Sequence, residues 1–191
     1  MPANLDTLLL PERHRFSTGS VALDFVHTGG VGSTDELLHA RADLDTWLTV
    51  LLAREVSARE KDLATAWALR DAIWRLTRRH LAGRPYRPRD LAVVNAAAEA
   101  TPPAGRLEAS GAVAAPTLSG RQALALIAAD AVDVLSEHRR FRVRVCAAPD
   151  CQLLFYDSSR PGRRQWCSMA RCGNLRKTRA YRVRAAQVAV D

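Results

Sequence analysis

Cys146, Cys151, Cys167 and Cys172 are the only cysteines in this chain, and they stand within one 27-residue stretch. Their spacing, Cys-x4-Cys-x15-Cys-x4-Cys, constrains the fold more than any other feature, because it sets two short pairs at the ends of one loop. Zn2+ favours four thiolate or imidazole ligands in a tetrahedron at roughly 2.0–2.3 Å, and each short pair can supply two of them from a single turn. Pro149 and Asp150 suit the first turn, and Ser168 and Ala170 suit a first helical turn that brings Cys167 to Cys172. Four thiolates leave no open coordination position, so one structural Zn2+ is expected rather than a metal that activates water. Two disulfides, four unrelated buried thiols, or a zinc site that releases its metal on oxidation are the alternatives.

Charge is concentrated around these cysteines. Residues 139–184 hold thirteen Lys or Arg against only Asp150 and Asp157, a net charge of +11, whereas the rest of the chain holds fifteen against eighteen acids, a net charge of −3. A field of that kind raises the local concentration of polyanions, nucleic acid first among them, and should also favour thiolate over thiol at the cysteines. No apolar run approaches the roughly 18 residues that span a bilayer. Met1 to Leu10 has no basic segment followed by an apolar one, so no signal peptide is expected. The expectation is a cytoplasmic protein with reduced thiols and no membrane partner.

Most of the first 138 residues carry helical periodicity. Leu44, Trp47, Leu48, Leu51 and Leu52 recur at i, i+3, i+4, i+7 and i+8, one apolar helical face. Ser57 with Glu60 three residues later has the form of a capping box. Behind it Leu63, Trp67, Arg70, Ile73, Trp74 and Leu81 mark a long helix that should stop near Gly83 and Pro85. Asp90–Glu99 suits a shorter helix. Ser119 is placed to cap a last one, with Leu124, Ile127, Ala131, Val134, Leu135 and His138 on its buried side. Leu107 to Leu118 alternates around Ser110-Gly111, a short hairpin. The tryptophans Trp47, Trp67 and Trp74 sit at helical spacing and are expected in the core.

The pattern changes near Arg139. Arg142–Val145 alternates into Cys146, Leu153–Tyr156 forms a second strand, Ser159-Arg160-Pro161-Gly162 a turn, and Arg164–Trp166 a third strand. From Asn174 onward no helix breaker occurs, which predicts a helix. The fold class expected is mainly α: an N-terminal helical domain with a short β-hairpin, then a small treble-clef-like zinc module made of a β-hairpin and a C-terminal basic helix. The boundary falls at 138/139, giving domains of residues 1–138 and 139–191.

Cys167-Ser168-Met169-Ala170-Arg171-Cys172-Gly173-Asn174 resembles the CGNR zinc finger. The match runs back through Phe155–Arg160 and Arg163–Trp166 and forward through Lys177, Arg179, Tyr181 and Arg184. Val21-Ala22-Leu23-Asp24-Phe25-Val26-His27-Thr28 and Leu69-Arg70-Asp71-Ala72-Ile73-Trp74 resemble the ABATE domain that precedes this finger. Together the resemblances cover nearly the whole chain. They imply a bacterial protein of a group described as stress-induced transcriptional regulators, with a C-terminal module that meets DNA. Two positions depart from the pattern: Leu175 stands where the finger has Arg, with Arg176 one place later, and His27 stands where Asn is expected.

Arg160, Arg163, Arg164, Arg171, Asn174, Arg176, Lys177, Arg179, Arg182 and Arg184 are the candidate nucleic-acid contacts. Most would meet phosphate, which gives affinity without reading sequence. Asp24, His27 and Thr28 are candidates for a small-ligand pocket in the N-terminal domain, set against a reading in which they cap or bridge helix ends. No nucleophile elbow, phosphate loop, dinucleotide fingerprint or HExxH motif is present, so an enzyme is not expected. The leading expectation is a zinc-dependent DNA-binding regulator whose N-terminal domain senses a signal or forms a homodimer. A zinc-stabilised protein–protein module of the transcription machinery is the second reading, and an enzyme or small-ligand binder using Asp24 and His27 the third.

Overall fold

The computed structural model describes residues 18–31, 35–114, 116–139, 141–149 and 151–174. Among these residues five α-helices build the body. Helix α1, Val21–Val26, buries Ala22, Leu23, Phe25 and Val26. Ser20 begins it: its hydroxyl accepts from Leu23 N at 3.2 Å and donates to Asp130 Oδ2 at 2.5 Å. Helix α2, Arg41–Leu52, buries Leu44, Trp47 and Leu48 on the stripe that the spacing predicts. Phe25 meets Trp47 with ring centroids 5.5 Å apart. Trp67 and Trp74, also expected in the core, are partly buried and pack against it.

The expected capping box at Ser57 is not formed. Ser57 lies in a two-residue strand β1, Val56–Ser57, and the long helix α3, Glu60–Leu81, begins three residues later. Asp62 closes that end by accepting from Arg59 N at 2.8 Å. Helix α3 stops where expected, at Gly83, whose φ of +62° is a left-handed conformation that a residue without Cβ adopts readily. Helix α4, Pro88–Ala98, starts with proline, whose missing N–H would be unpaired there in any case. Its buried Asp90 pairs with Arg75 at 2.8 Å.

The hairpin is shorter than expected. Strands β2, Arg106–Leu107, and β3, Val113–Ala114, pair antiparallel and lie exposed, whereas Leu118 turns away into β4, Leu118–Ser119. Strand β4 is fully buried at Leu118 and pairs parallel with β1. Two residues per strand carry no visible period, so this contact has no signal in the sequence. Ser119 does cap α5, Gly120–Val134, in a capping box closed by Gln122. His138 does not share the buried side of α5. The helix ends at Val134, the chain turns at Ser136, and His138 lies exposed in a 3-10 turn, Glu137–Arg139.

Helices α1, α3 and α5 pack against one another, with α4 against α3 and α5. None of the helices among the described residues is long and apolar enough to cross a membrane. The core that they enclose takes in two residues from beyond position 139, Val143 and Leu154. These belong to strands β5, Val143–Val145, and β6, Leu154–Tyr156, an antiparallel pair in the register Val143↔Tyr156 and Val145↔Leu154. The C-terminal module is therefore rooted in the helical body through its first two strands.

Candidate metal centre

Strands β5 and β6 position the first cysteine pair. Cys146 follows directly from β5 and its N–H donates to Leu153 O at 2.8 Å, extending the ladder by one rung. The chain then turns tightly: Cys151 N donates to Ala148 O at 3.1 Å, and Gln152 adopts φ of +52°. The second pair needs a different device. An α-helix advances about 100° per residue, so two side chains five positions apart would point roughly 140° away from each other. Met169–Gly173 instead forms a π-helical turn, in which Gly173 N donates to Ser168 O, five residues back, at 3.1 Å. That widened turn is what lets Cys167 and Cys172 converge.

All four Sγ atoms lie within 4.8 Å of one another. Cys167 Sγ is 3.6 Å from both Cys151 Sγ and Cys172 Sγ. A tetrahedron with metal–sulfur bonds of about 2.3 Å has edges of about 3.8 Å, so the cluster already has the size that Zn2+ requires. A disulfide needs sulfurs about 2.05 Å apart, which none of these pairs has; all four cysteines are free. Cys146 and Cys167 are buried, Cys151 and Cys172 half-buried, over a floor of Ala148 and the fully buried Phe155. Cys167 N donates to Cys146 Sγ at 3.5 Å, the kind of backbone bond that steadies a ligating sulfur.

The expectation that surrounding positive charge favours thiolate throughout does not hold without a metal. Burial and the neighbouring thiols push Cys167 up strongly, and burial with the Cys151 and Cys146 thiols pushes Cys172 up to about 11. Cys146 is lowered: burial opposes ionisation, but N–H bonds from Cys167 and Ala148 outweigh it. A cation entering this cluster therefore displaces protons, which makes its affinity depend on pH. Bound there, Zn2+ would tie the turn after β5 to the π-turn and fill all four coordination positions.

Asp157 is the residue that sequence reasoning underrated: it entered as one of two acids in a basic segment and within the matching stretch Phe155–Arg160, with no structural role given to it. It is fully buried and organises the loop between the cysteine pairs. Its Oδ1 accepts from Ser159 N at 3.0 Å and Ser159 Oγ at 2.6 Å, its Oδ2 accepts from Arg164 N at 2.8 Å, and Arg144 lies 3.5 Å away. Burial alone would raise its pKa, but these donors and the Arg144 charge hold it below the usual carboxylate range. The bond to Arg164 N also explains why the expected third strand at Arg164–Trp166 is absent. That backbone is committed to a side chain, and it meets the first knuckle through the bond from Ala147 N to Gln165 O, 2.9 Å. Asp157→Asn is expected to cost roughly 2 kcal/mol, measured as a lower denaturant midpoint of the zinc-loaded chain, since it leaves one buried donor facing an amide.

Arg164 has two assignments to reconcile. Its Nε donates to Trp166 O at 2.7 Å, its Nη2 bonds to Cys167 O, and its guanidinium lies 5.0 Å above the Phe155 ring. The side chain thus braces the backbone of a metal ligand. Arg160, Arg163 and Asn174 are exposed, and among the described residues Arg160 and Arg163 have no carboxylate partner. Arg171 lies in the π-turn, while Arg176, Lys177, Arg179, Arg182 and Arg184, the predicted basic helix and Leu175 lie outside the described residues.

The three N-terminal candidates each have a partner within the chain. Asp24 Oδ1 accepts from Thr18 N at 2.9 Å, and burial, with Asp130 nearby, raises its pKa despite the Thr18 bonds. Thr28 Oγ1 donates to Phe25 O at 2.8 Å and accepts from the buried Arg70, which is itself held by Glu36 at 2.6 Å. His27 Nε2 lies 3.1 Å from both the N–H and the carbonyl of Leu154, on the outer edge of β6. It accepts or donates there according to its tautomer. Together with the bond from Tyr156 N to Thr18 O, 2.7 Å, it seals that strand edge against α1.

A family model described as "Putative stress-induced transcription regulator", ABATE, matches residues 19–138, and one described as "CGNR zinc finger" matches residues 142–185. No curated protein matches the chain. The first match spans more than half of the sequence, and the second contains all four converging cysteines. The chain therefore belongs to the ABATE family and carries, after that domain, a CGNR zinc finger built on Cys146, Cys151, Cys167 and Cys172.

Proposed function

We propose that this protein is a cytoplasmic, zinc-dependent transcription regulator whose finger and following basic segment contact DNA, while the N-terminal domain senses a signal or holds two copies together. The observation that carries this reading is the fate of charge around the metal centre. Residues 139–184 have a net charge of +11, and one of their two acids, Asp157, is buried and spent on loop bonds, while Arg160 and Arg163 stand exposed. Positive charge is thus presented outward on a metal-braced scaffold. Arg160, Arg163, Arg171, Asn174 and the basic residues 176–184 are the proposed contacts, with Arg164 bracing them from behind. Such contacts supply affinity through phosphate and counterion release rather than base recognition.

Fluorescence anisotropy of the zinc-loaded full chain on labelled duplex DNA tests this. If six phosphates are neutralised, log K should fall against log salt with a slope of about −5. No binding at about 50 mM salt would overturn the proposal and favour an acidic protein as the partner of the same face.

A further inference from the structure

Between the end of α3 and the first strand of the cysteine module lies a cleft of about 510 Å3. We propose that this cleft binds a small organic anion with a flat apolar body. Its volume falls in the range of small-molecule sites, roughly 300–1,000 Å3. The lining contains Arg144, Arg164 and His80 and no Asp or Glu. Arg144 spends its charge on Asp157; Arg164 gives Asp157 only its backbone N–H, and its guanidinium bonds to the carbonyl oxygens of Trp166 and Cys167 with no ion pair among the described residues. The cleft is thus lined by an arginine whose charge has no ion-pair partner among the described residues.

The apolar half of the lining is formed by Leu81, Val145 and Phe141, whose ring is 82% exposed at the rim. An aromatic or branched carboxylate places its charge toward Arg164 and its body against these groups. The end of α3 would ordinarily repel an anion. Here three of its last four carbonyls are taken: Ala82 N bonds to Arg78 O, Gly83 N to His80 O and Arg84 N to Arg79 O.

The position gives such a ligand leverage. Val145 and Ala147 flank Cys146, and Arg164 is bonded to the carbonyl of Cys167, so an occupant touches the supports of two metal ligands. His80 and Leu81 come from the helical body. A ligand here bridges the two parts, and by linkage its binding and that of the metal alter each other by the same factor. This site is separate from Asp24, His27 and Thr28 and does not depend on DNA binding.

Calorimetry of the zinc-loaded full chain with benzoate and 1-naphthoate, against the neutral benzamide and naphthamide, decides the matter. The carboxylates are expected to bind at least tenfold more tightly than the amides. Arg164→Gln should remove that preference. Because Arg164 also braces Cys167, Phe141→Glu provides a second variant at an exposed position; it should weaken carboxylate binding at least tenfold with zinc content unchanged. Arg106→Gln, on the distant hairpin, should leave affinity as it was. Amides binding as well as carboxylates, carboxylate affinity weaker than about 1 mM, or full affinity in Phe141→Glu would each overturn the proposal.

Discussion

Removing the metal, or replacing Cys167 by Ser, is expected to open the cysteine module while the helical body stays folded. Structural Zn2+ in small modules contributes on the order of 10–16 kcal/mol of apparent binding free energy. The module has little else: its own core consists of Cys146, Ala148, Phe155 and Cys167, half of which are ligands. Without a cation the four sulfurs hold only thiol contacts and the backbone N–H bonds to Cys146, and Cys167 remains protonated for want of solvation. Val143 and Leu154, by contrast, are packed in the main core, so the base of the β5–β6 hairpin should persist. Limited trypsin digestion gives the readout. Cleavage after Arg163 and Arg164 should become rapid in the metal-free chain and in Cys167→Ser, with α3 and α5 still protected. Equal cleavage rates with and without metal would show that zinc does not hold the module together.

Acid should loosen the joint between the two parts through His27, and the direction follows from its pKa. Burial lowers His27 from its ordinary 6.5 to about 4, with the bond to Leu154 acting the other way. Between those two pH values the unfolded chain takes up a proton that the folded chain refuses. His27 therefore contributes full stability above pH 6.5 and loses it progressively as pH falls toward 4. The loss amounts to about 3 kcal/mol across the window. Asn can bond Leu154 N–H and carbonyl without titrating. Urea unfolding of zinc-saturated wild type and His27→Asn should show stabilities that converge at pH 5 relative to pH 7.5, or cross. Parallel pH profiles for the two proteins would remove His27 from the account.

What was legible in the sequence follows physical range. The helices Arg41–Leu52, Glu60–Leu81 and Gly120–Val134 were legible because a buried face repeated every turn over three or more turns. The cysteine cluster was legible because soft ligands are scarce and their spacing is short. Two-residue strands leave no such trace, and the parallel pairing of Val56 with Leu118 joins positions 62 apart by contacts that no local pattern encodes. His138 was misplaced because its i+3 spacing from Leu135 continued past the point where the helix ends. Asp157 was undervalued because charge arithmetic treats a buried, hydrogen-bonded carboxylate and a solvated one alike. The domain's kind was legible from Val21–Thr28 and Leu69–Trp74 rather than from periodicity, and the family model over residues 19–138 bears that resemblance out.

X-ray absorption at the zinc edge of the purified full chain tests the metal centre most directly. The account predicts one zinc per chain with four sulfur neighbours at about 2.3 Å and no nitrogen or oxygen in the first shell. A shell containing a nitrogen or oxygen ligand, or a chain that holds no zinc with its four cysteines reduced, would contradict it.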